Sequence, residues 1–68
     1  MSAWVDQMFE GSKQVRVGGI VRRSVADVER LGVLAEIIAR ASREGMHVLE
    51  TGGNIVLLAH KGTFKVHC

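Results

Sequence analysis

Apolar residues near the start of the chain recur at the spacing of a helix, and a change to alternation follows. A short helix is predicted over residues 2–10, with Ser2 suited to cap it and Gly11 to end it. A strand is predicted over residues 14–21, where apolar and polar residues alternate until Gly18 and Gly19 interrupt the pattern with a bulge or bend. The apolar side of the helix carries Trp4, Val5, Met8 and Phe9.

A long amphipathic helix is the strongest prediction, over Val25–Glu44. Ser24 followed by Asp27 forms a variant of the capping box, and Gly45 is suited to end the helix. Glu36 precedes Arg40 by four residues, which favours an ion pair. The main apolar stripe comprises Val28, Leu31, Leu34, Ala35, Ile38 and Ala41, and a partial second stripe comprises Val33 and Ile37. The helix therefore either lies between two layers or contacts a second copy.

The remainder of the chain predicts a three-stranded antiparallel meander over residues 46–51, 54–60 and 63–68. Gly52-Gly53 and Lys61-Gly62 are the turns, so that 54–60 is the central strand. We expect the first strand to join an edge of this sheet by parallel pairing with one of the outer strands, and the sequence leaves open which edge. The fold class is α+β with a β-α-β-β-β core, in a single small domain over residues 1–68.

The two turns fix which side chains share a face of the meander, because the side-chain period of a strand is two. One face is almost purely apolar and is expected to lie under the long helix: Met46, Val48, Ile55, Leu57, Ala59, Phe64, Val66 and Cys68. The reverse face carries Leu49, Val56 and Leu58 in its middle. We expect these three aliphatic side chains to be covered by the Trp4/Met8/Phe9 segment, by a second copy or by a partner.

Composition narrows the protein class without identifying a function. The 68 residues are 47% hydrophobic, which excludes a disordered chain. The longest apolar run, 55–59, is far shorter than the ~20 residues of a membrane helix. The net charge is only +2, but two stretches are basic without any acid, 11–24 and 60–68. These features predict a soluble cytoplasmic protein.

Candidate chemistry is sparse. The predicted register separates His67 from His47 and His60 and turns Cys68 to the other face, so no three ligands converge on a metal. The serines occupy turn, cap and helix-surface positions, and no acid–base pair accompanies them. The sequence therefore predicts no metal, no cofactor and no catalytic residue, and hence a protein that is not an enzyme.

Surplus apolar surface on so small a chain favours binding as the function. The predicted function is a small non-enzymatic regulator or inhibitor that binds a larger protein and forms a homodimer, a build also found among small phage and mobile-element proteins. The alternative is a nucleic-acid-binding module that uses the basic stretch 13–23, where two arginines and the first turn of the long helix would hold a phosphate. The partner-binding residues predicted are Leu49, Val56, Leu58, Arg16, Arg22 and Arg23.

Overall fold

The computed structural model describes residues 2–68 and contains both helices and a sheet. In chain order the elements are α1 (Ala3–Glu10), α2 (Lys13–Arg16), β1 (Ile20–Ser24), α3 (Val25–Leu31), α4 (Leu34–Arg43), β2 (His47–Thr51) and β3 (Asn54–Leu58). The strands form one antiparallel sheet in the order β1-β3-β2. The α+β class predicted from the sequence is confirmed.

The predicted N-terminal helix is present as α1. The Ser2 Oγ accepts a hydrogen bond from the Trp4 N–H (3.2 Å), as an N-cap does. Val5, Met8 and Phe9 are at most 3% exposed and belong to the core. The apolar side of α1 therefore packs within the helical layer of the protein.

The strand predicted over residues 14–21 is wrong in position. Lys13–Arg16 form α2, and β1 begins only at Ile20. The alternation that suggested a strand does not correspond to a buried face, because Val17 is 68% exposed. Gly18 takes φ +72° and turns the chain out of α2, while the Gly19 N–H donates to the Gln14 carbonyl (2.7 Å). The paired glycines thus end a helical turn instead of forming a bulge in a strand.

The single helix predicted over Val25–Glu44 is interrupted at Gly32. This residue takes φ +64°, in the left-handed region that favours glycine, and α3 ends there. The break changes which side chains reach the core. Leu31 and Ile38, assigned to the main stripe, are 40% and 49% exposed, whereas Val33 and Ile37 of the second stripe are 5% and 0% exposed. Two short helices therefore bury a mixture of the two stripes.

Two of the predicted local signals at these helices are confirmed. The Ser24 Oγ accepts a hydrogen bond from the Asp27 N–H (3.0 Å), which caps α3. Gly45 follows the end of α4 with φ +76°. The caps depend only on residues close to each helix end, so they form as predicted although the helix is divided at Gly32.

The hairpin between β2 and β3 has the predicted turn and register. Gly52 and Gly53 have φ +53° and +77°, which makes the connection a type I′ turn. Val48 lies opposite Leu57, and β3 is the central strand. Because the register is correct, the predicted division of β2 and β3 into two faces is also correct.

The third strand of the predicted meander does not form, and β1 occupies its place beside β3. The pairing is antiparallel, with Val21 opposite Leu57, so the expected parallel pairing with an outer strand is wrong. Backbone hydrogen bonds from Val25 N–H to the Gly53 carbonyl (2.8 Å) and from Ala59 N–H to the Gly19 carbonyl (2.9 Å) close both ends of the pair. Val21 of β1 is 5% exposed, whereas the side chains that the third strand was expected to bury are exposed: Phe64, Val66 and Cys68.

The core lies between the helices and one face of the sheet. Leu57 at its centre is fully buried, and Ile55 on the same strand is 2% exposed. The helices contribute the other wall, and Val48 at the edge packs against it while half-buried. The buried apolar residues of this core are Val5, Met8, Phe9, Val21, Val28, Val33, Ile37, Ala41, Met46, Ile55, Leu57 and Ala59.

Arg40 joins α1 to α4. Its side chain is 13% exposed, and its guanidinium donates hydrogen bonds to Asp6 (3.2 Å), Glu10 (3.2 Å) and Glu44 (2.7 Å). The guanidinium carbon also lies 5.0 Å from the centroid of the Phe9 ring. The hydrogen bond to Glu44, followed by that to Glu10, raises the pKa of Arg40 above its ordinary value. An arginine with these three acids fixes α1 on the surface of α4.

The predicted pairing of Arg40 with Glu36 is therefore wrong. Glu36 accepts a hydrogen bond from the Ser2 backbone N–H (2.8 Å) instead. Both members of the expected helix-surface pair are used to hold the N-terminal segment, because α1 packs close to this side of α4.

Leu57→Ala is expected to lower the free energy of unfolding by about 2–5 kcal/mol, because it removes a fully buried side chain and leaves a cavity. Leu49→Ala is the matched control. It removes the same atoms from a side chain that is 39% exposed and is expected to lower the free energy of unfolding by about 1 kcal/mol. Urea unfolding followed by circular dichroism measures both values. Equal losses would contradict the division of the sheet into a covered and an uncovered face.

Arg40→Met is expected to lower the free energy of unfolding by about 1–2 kcal/mol, since three ion pairs with partly exposed partners are lost together. The methionine keeps much of the apolar volume against Phe9. Arg43→Met, at an exposed position on the same helix, is the control and is expected to change it by about 0.5 kcal/mol or less. Thermal unfolding at low and high salt compares the two variants. A loss for Arg40→Met no larger than that of the control would show that the ion pairs do not hold α1.

Candidate protein-binding surface

The face of the sheet that points away from the helices is the main candidate surface. Side chains alternate along each strand. Val21, Val48 and Leu57 point to the core, so the residues before and after each of them in its strand project to the other side of the sheet. We call this side the open sheet face, formed by Ile20, Arg22, His47, Leu49, Val56 and Leu58.

An apolar band crosses the open sheet face. Ile20 and Leu49, on the two outer strands, are 58% and 39% exposed. Val56 between them is only 8% exposed and is not part of the core cluster. Its immediate neighbours on the face are Arg22 and Leu49, which lie opposite it on the adjacent strands. Val56 is thus nearly buried although it lies outside the core cluster, and it projects to the side of the sheet that faces away from the helices.

The structure brings together four of the six residues predicted to bind a partner. Leu49, Val56 and Leu58 share the open sheet face as expected, and Arg22 lies beside Val56. Arg23, the next residue in β1, belongs to the opposite face, and Arg16 is on α2. The positions are now known, whereas the binding role of these residues stays a prediction.

One of the three covers considered for the aliphatic face is excluded. The Trp4/Met8/Phe9 segment packs on the side of the sheet that carries Leu57, within the core. It cannot also cover Val56, which projects from the other side of the same strand. A second copy or a different partner remains to cover the open sheet face.

Arg23 is occupied within the chain. Its guanidinium carbon lies 5.9 Å from the centroid of the Trp4 ring, and its Nη1 donates a hydrogen bond to the Arg22 carbonyl (2.7 Å). The contact joins β1 to α1 at the rim of the core. Sequence reasoning missed this role, because the two residues are far apart in the chain and no local pattern connects them.

The beginning of α3 does not present the phosphate site that the sequence suggested. Arg22 and Arg23 lie on opposite faces of β1 and so do not converge on one anion. The first turn also contains Asp27, which accepts a hydrogen bond from Arg30 Nη2 (3.0 Å). That hydrogen bond, followed by one with Ser24, holds the pKa of Asp27 below its usual value. A negative charge therefore already lies where the phosphate was expected.

The two basic stretches of the sequence meet at a groove of about 430 Å³. Arg16 comes from α2, and His60 and Lys61 come from the segment after β3, while Glu44 forms part of the wall. We call this the basic groove. The turn at Gly18–Gly19 places α2 beside the end of β3, so the proximity arises from long-range packing and has no local signal in the sequence.

Another groove, of about 410 Å³, follows the outer edge of β2. The chain after β3 reaches this edge, where the Phe64 and His47 rings meet edge-on with centroids 4.8 Å apart. The Nε2–H of His47 also donates a hydrogen bond to the Gly62 carbonyl. We call this the edge groove, and its lining includes Leu34, Ile38, Ser42, Val48, Leu49, Glu50 and Phe64.

Within residues 2–68, no three or more His, Cys, Asp or Glu side chains are grouped so that they could hold a metal ion. Cys68, which the predicted register placed in the core, is exposed. Over the same range, every helix is too short or too polar to cross a membrane.

Comparisons of the chain with protein-family models, with curated proteins and with solved structures give no match. The case for a function therefore depends on the surfaces described above.

Proposed function

We propose that the protein is a small non-enzymatic regulator or inhibitor that acts in the cytoplasm, as a homodimer, by binding a larger protein. The open sheet face is the surface that contacts this protein. The observation that carries the proposal is the apolar band through Ile20, Leu58, Val56 and Leu49, which has no helix over it.

The composition of the open sheet face suits a protein partner. The centres of protein interfaces are apolar and poor in charge, and arginine is enriched among their contacts. Ile20 and Leu49 supply most of the exposed apolar surface, while Arg22 stands at one side of the band. A sheet face of this kind is already ordered by the backbone hydrogen bonds of the fold, so little conformational entropy is lost when a partner covers it.

Binding of nucleic acid is the second candidate, and the basic groove favours it. Arg16, His60 and Lys61 line one concave surface, where a phosphate would be attracted. Glu44 in the same wall opposes this attraction, although its carboxylate is engaged by Arg40. The net charge of +2 also gives only a weak long-range field.

The double variant Ile20→Lys with Leu58→Lys separates the two candidates, because it affects them in opposite directions. The two residues lie opposite each other on the open sheet face, so two ammonium groups there are expected to weaken an apolar contact by tenfold or more. The same change raises the net charge by two and strengthens non-specific binding to phosphates. Affinity capture from lysate after nuclease treatment, followed by titration of the purified partner, measures the effect.

The matched control is Val17→Lys with Val66→Lys, at residues that are 68% and 71% exposed and lie outside the open sheet face. The control is expected to retain the protein partner and to have the same charge as the test variant. Circular dichroism verifies that both variants fold. Equal retention of the partner by the two variants would contradict binding through the open sheet face.

The nucleic-acid candidate makes its own prediction about salt. If the basic groove binds DNA or RNA, Arg16→Glu with Lys61→Glu abolishes the binding, and the logarithm of the wild-type binding constant falls with the logarithm of salt by about 0.9 per phosphate contact on duplex DNA. We expect no submicromolar binding at ~150 mM salt, where non-specific affinities are weak. Fluorescence anisotropy with random duplex DNA and single-stranded RNA tests this. Submicromolar binding that the double variant removes would replace the protein-binding proposal.

A further inference from the structure

The outer edge of β2 carries backbone groups without a strand partner. The type I′ turn at Gly52–Gly53 closes the hairpin on a hydrogen-bonded pair, Thr51 with Asn54. Hydrogen-bonded pairs then alternate along the ladder, so Leu49 bonds to β3 while Val48 and Glu50 direct their N–H and C=O groups outward. Within residues 2–68, no strand pairs with these outward groups. The edge is thus a template for a further strand.

The two outer strands of the sheet differ in how they discourage such pairing. β1 carries Arg22 and Arg23 side by side, and charged side chains are a common protection of exposed edges. β2 has an apolar centre at Val48 and Leu49, with Glu50 as its one acid. The β2 edge is therefore the one that can accept another strand without bringing arginines together.

Exposed apolar side chains lie next to the β2 edge on both sides of the sheet. Ile38 of α4 is 49% exposed on the helical side, and Leu49 is 39% exposed on the open sheet face. Phe64, at the end of the edge groove near His47, is 46% exposed. A strand added at this edge would cover all three side chains, so the association would gain apolar burial as well as hydrogen bonds.

We infer that the occupant is a second copy of the chain, whose β2 pairs antiparallel with the first about a twofold axis at Leu49. This pairing places Val48 of one copy opposite Glu50 of the other. Since both residues direct their backbone groups outward, each such pair exchanges two hydrogen bonds, and the twofold axis generates the second pair. Leu49 lies opposite its own counterpart in a non-hydrogen-bonded pair, where side chains approach most closely. The product is a continuous six-stranded sheet with β1 at both ends.

The charges of β2 are compatible with this self-pairing. Glu50 faces Val48, and His47 faces Thr51, so no like charges stand directly opposite each other. The two Glu50 side chains are diagonal neighbours about 7–8 Å apart, and both are exposed to the solvent, which screens their repulsion. β2 can therefore pair with a second copy about a twofold axis without opposing like charges, as a closed dimer requires.

This inference rests on the homodimer of the proposed function and gives it a specific interface. The open sheet faces of the two copies lie side by side on one surface of the joined sheet, so the dimer leaves the larger partner's site free. The dimer and the binding of a larger protein can therefore be measured separately, and the failure of either leaves the other testable.

Sedimentation of the wild-type chain and two Glu50 variants from 1 to 500 µM tests the pairing. Glu50→Pro removes an N–H that the monomer does not use, and proline is tolerated on an edge strand in that position. It is expected to raise the dimer dissociation constant at least tenfold. Glu50→Thr keeps the N–H and is expected to leave the dimer intact. A monomeric wild-type chain at 500 µM, or equal dimerisation of both variants, would overturn the inference.

A disulfide test reports the register. In a Cys68→Ser background, Leu49→Cys brings two thiols together at the twofold axis, where the Cα separation of about 4.5 Å suits a disulfide. Thr51→Cys is on the same face of β2, but residue 51 lies opposite His47 of the second copy. The two introduced thiols are then four residues apart along the strands, which is too far for a disulfide. Rapid oxidation to a covalent dimer is expected for the first variant only. Equal cross-linking of both, or none for Leu49→Cys, would overturn the register.

The double variant Ile20→Lys with Leu58→Lys completes the set, since it alters the open sheet face away from the β2 edge. It is expected to keep the dimer dissociation constant within about threefold while losing the larger partner. A dimer that this variant dissolves and that Glu50→Pro leaves intact would mean that the copies associate through their open faces, which contradicts the edge pairing. If Glu50→Pro weakens the dimer as expected but no larger protein is found that depends on the open sheet face, the edge pairing stands and only the proposed function is contradicted.

Discussion

The packing of α1 within the helical layer, which Arg40 and its three acids hold against α4, determines which side of the sheet is covered. Arg40 contacts Asp6, Glu10 and Phe9 of α1, while the burial of Val5 and Met8 keeps α1 in the layer that lies over Leu57. Among residues 2–68, no apolar helix lies on the other face. The open sheet face is thus a direct consequence of where the N-terminal helix is held. Within residues 2–68, the helices form this one layer.

Local signals in the sequence predicted local structure correctly. The Ser24 cap, the Gly52–Gly53 hairpin and the register of β2 on β3 are each encoded within a few residues. The face shared by Leu49, Val56 and Leu58 follows from that register. The wrong predictions concern segments for which two local conformations have similar free energy, so that the sequence of the segment does not decide between them. Gly32 is compatible with a helix interior at a modest cost of about 1 kcal/mol. In the structure its left-handed conformation ends α3, and Val33 and Ile37 are buried as a result.

The identity of the third strand in the sheet was also not decided by local sequence. Residues 20–24 and 63–68 both have strand character, and β3 has room for only one of them on its free side. The outcome depends on hydrogen bonds from Val25 and Ala59 that join residues 28 and 40 positions apart. The basic groove and the contact of Arg23 with Trp4 also arise from long-range packing. The candidate surface was therefore predictable where it lies on the hairpin, and not where it depends on β1 or α2.

The order of the strands has a consequence for how the chain folds as it is synthesised. β3 lies between β1 and β2 in the sheet but follows both of them in the chain. Neither outer strand has its neighbour until residues 54–58 have been made, although every helix precedes these residues in the chain. The core between the sheet and the apolar sides of α1 and α4 therefore cannot be completed before the last strand is in place. The β2–β3 hairpin closes locally, and the docking of β1 across more than thirty residues follows as the slower step.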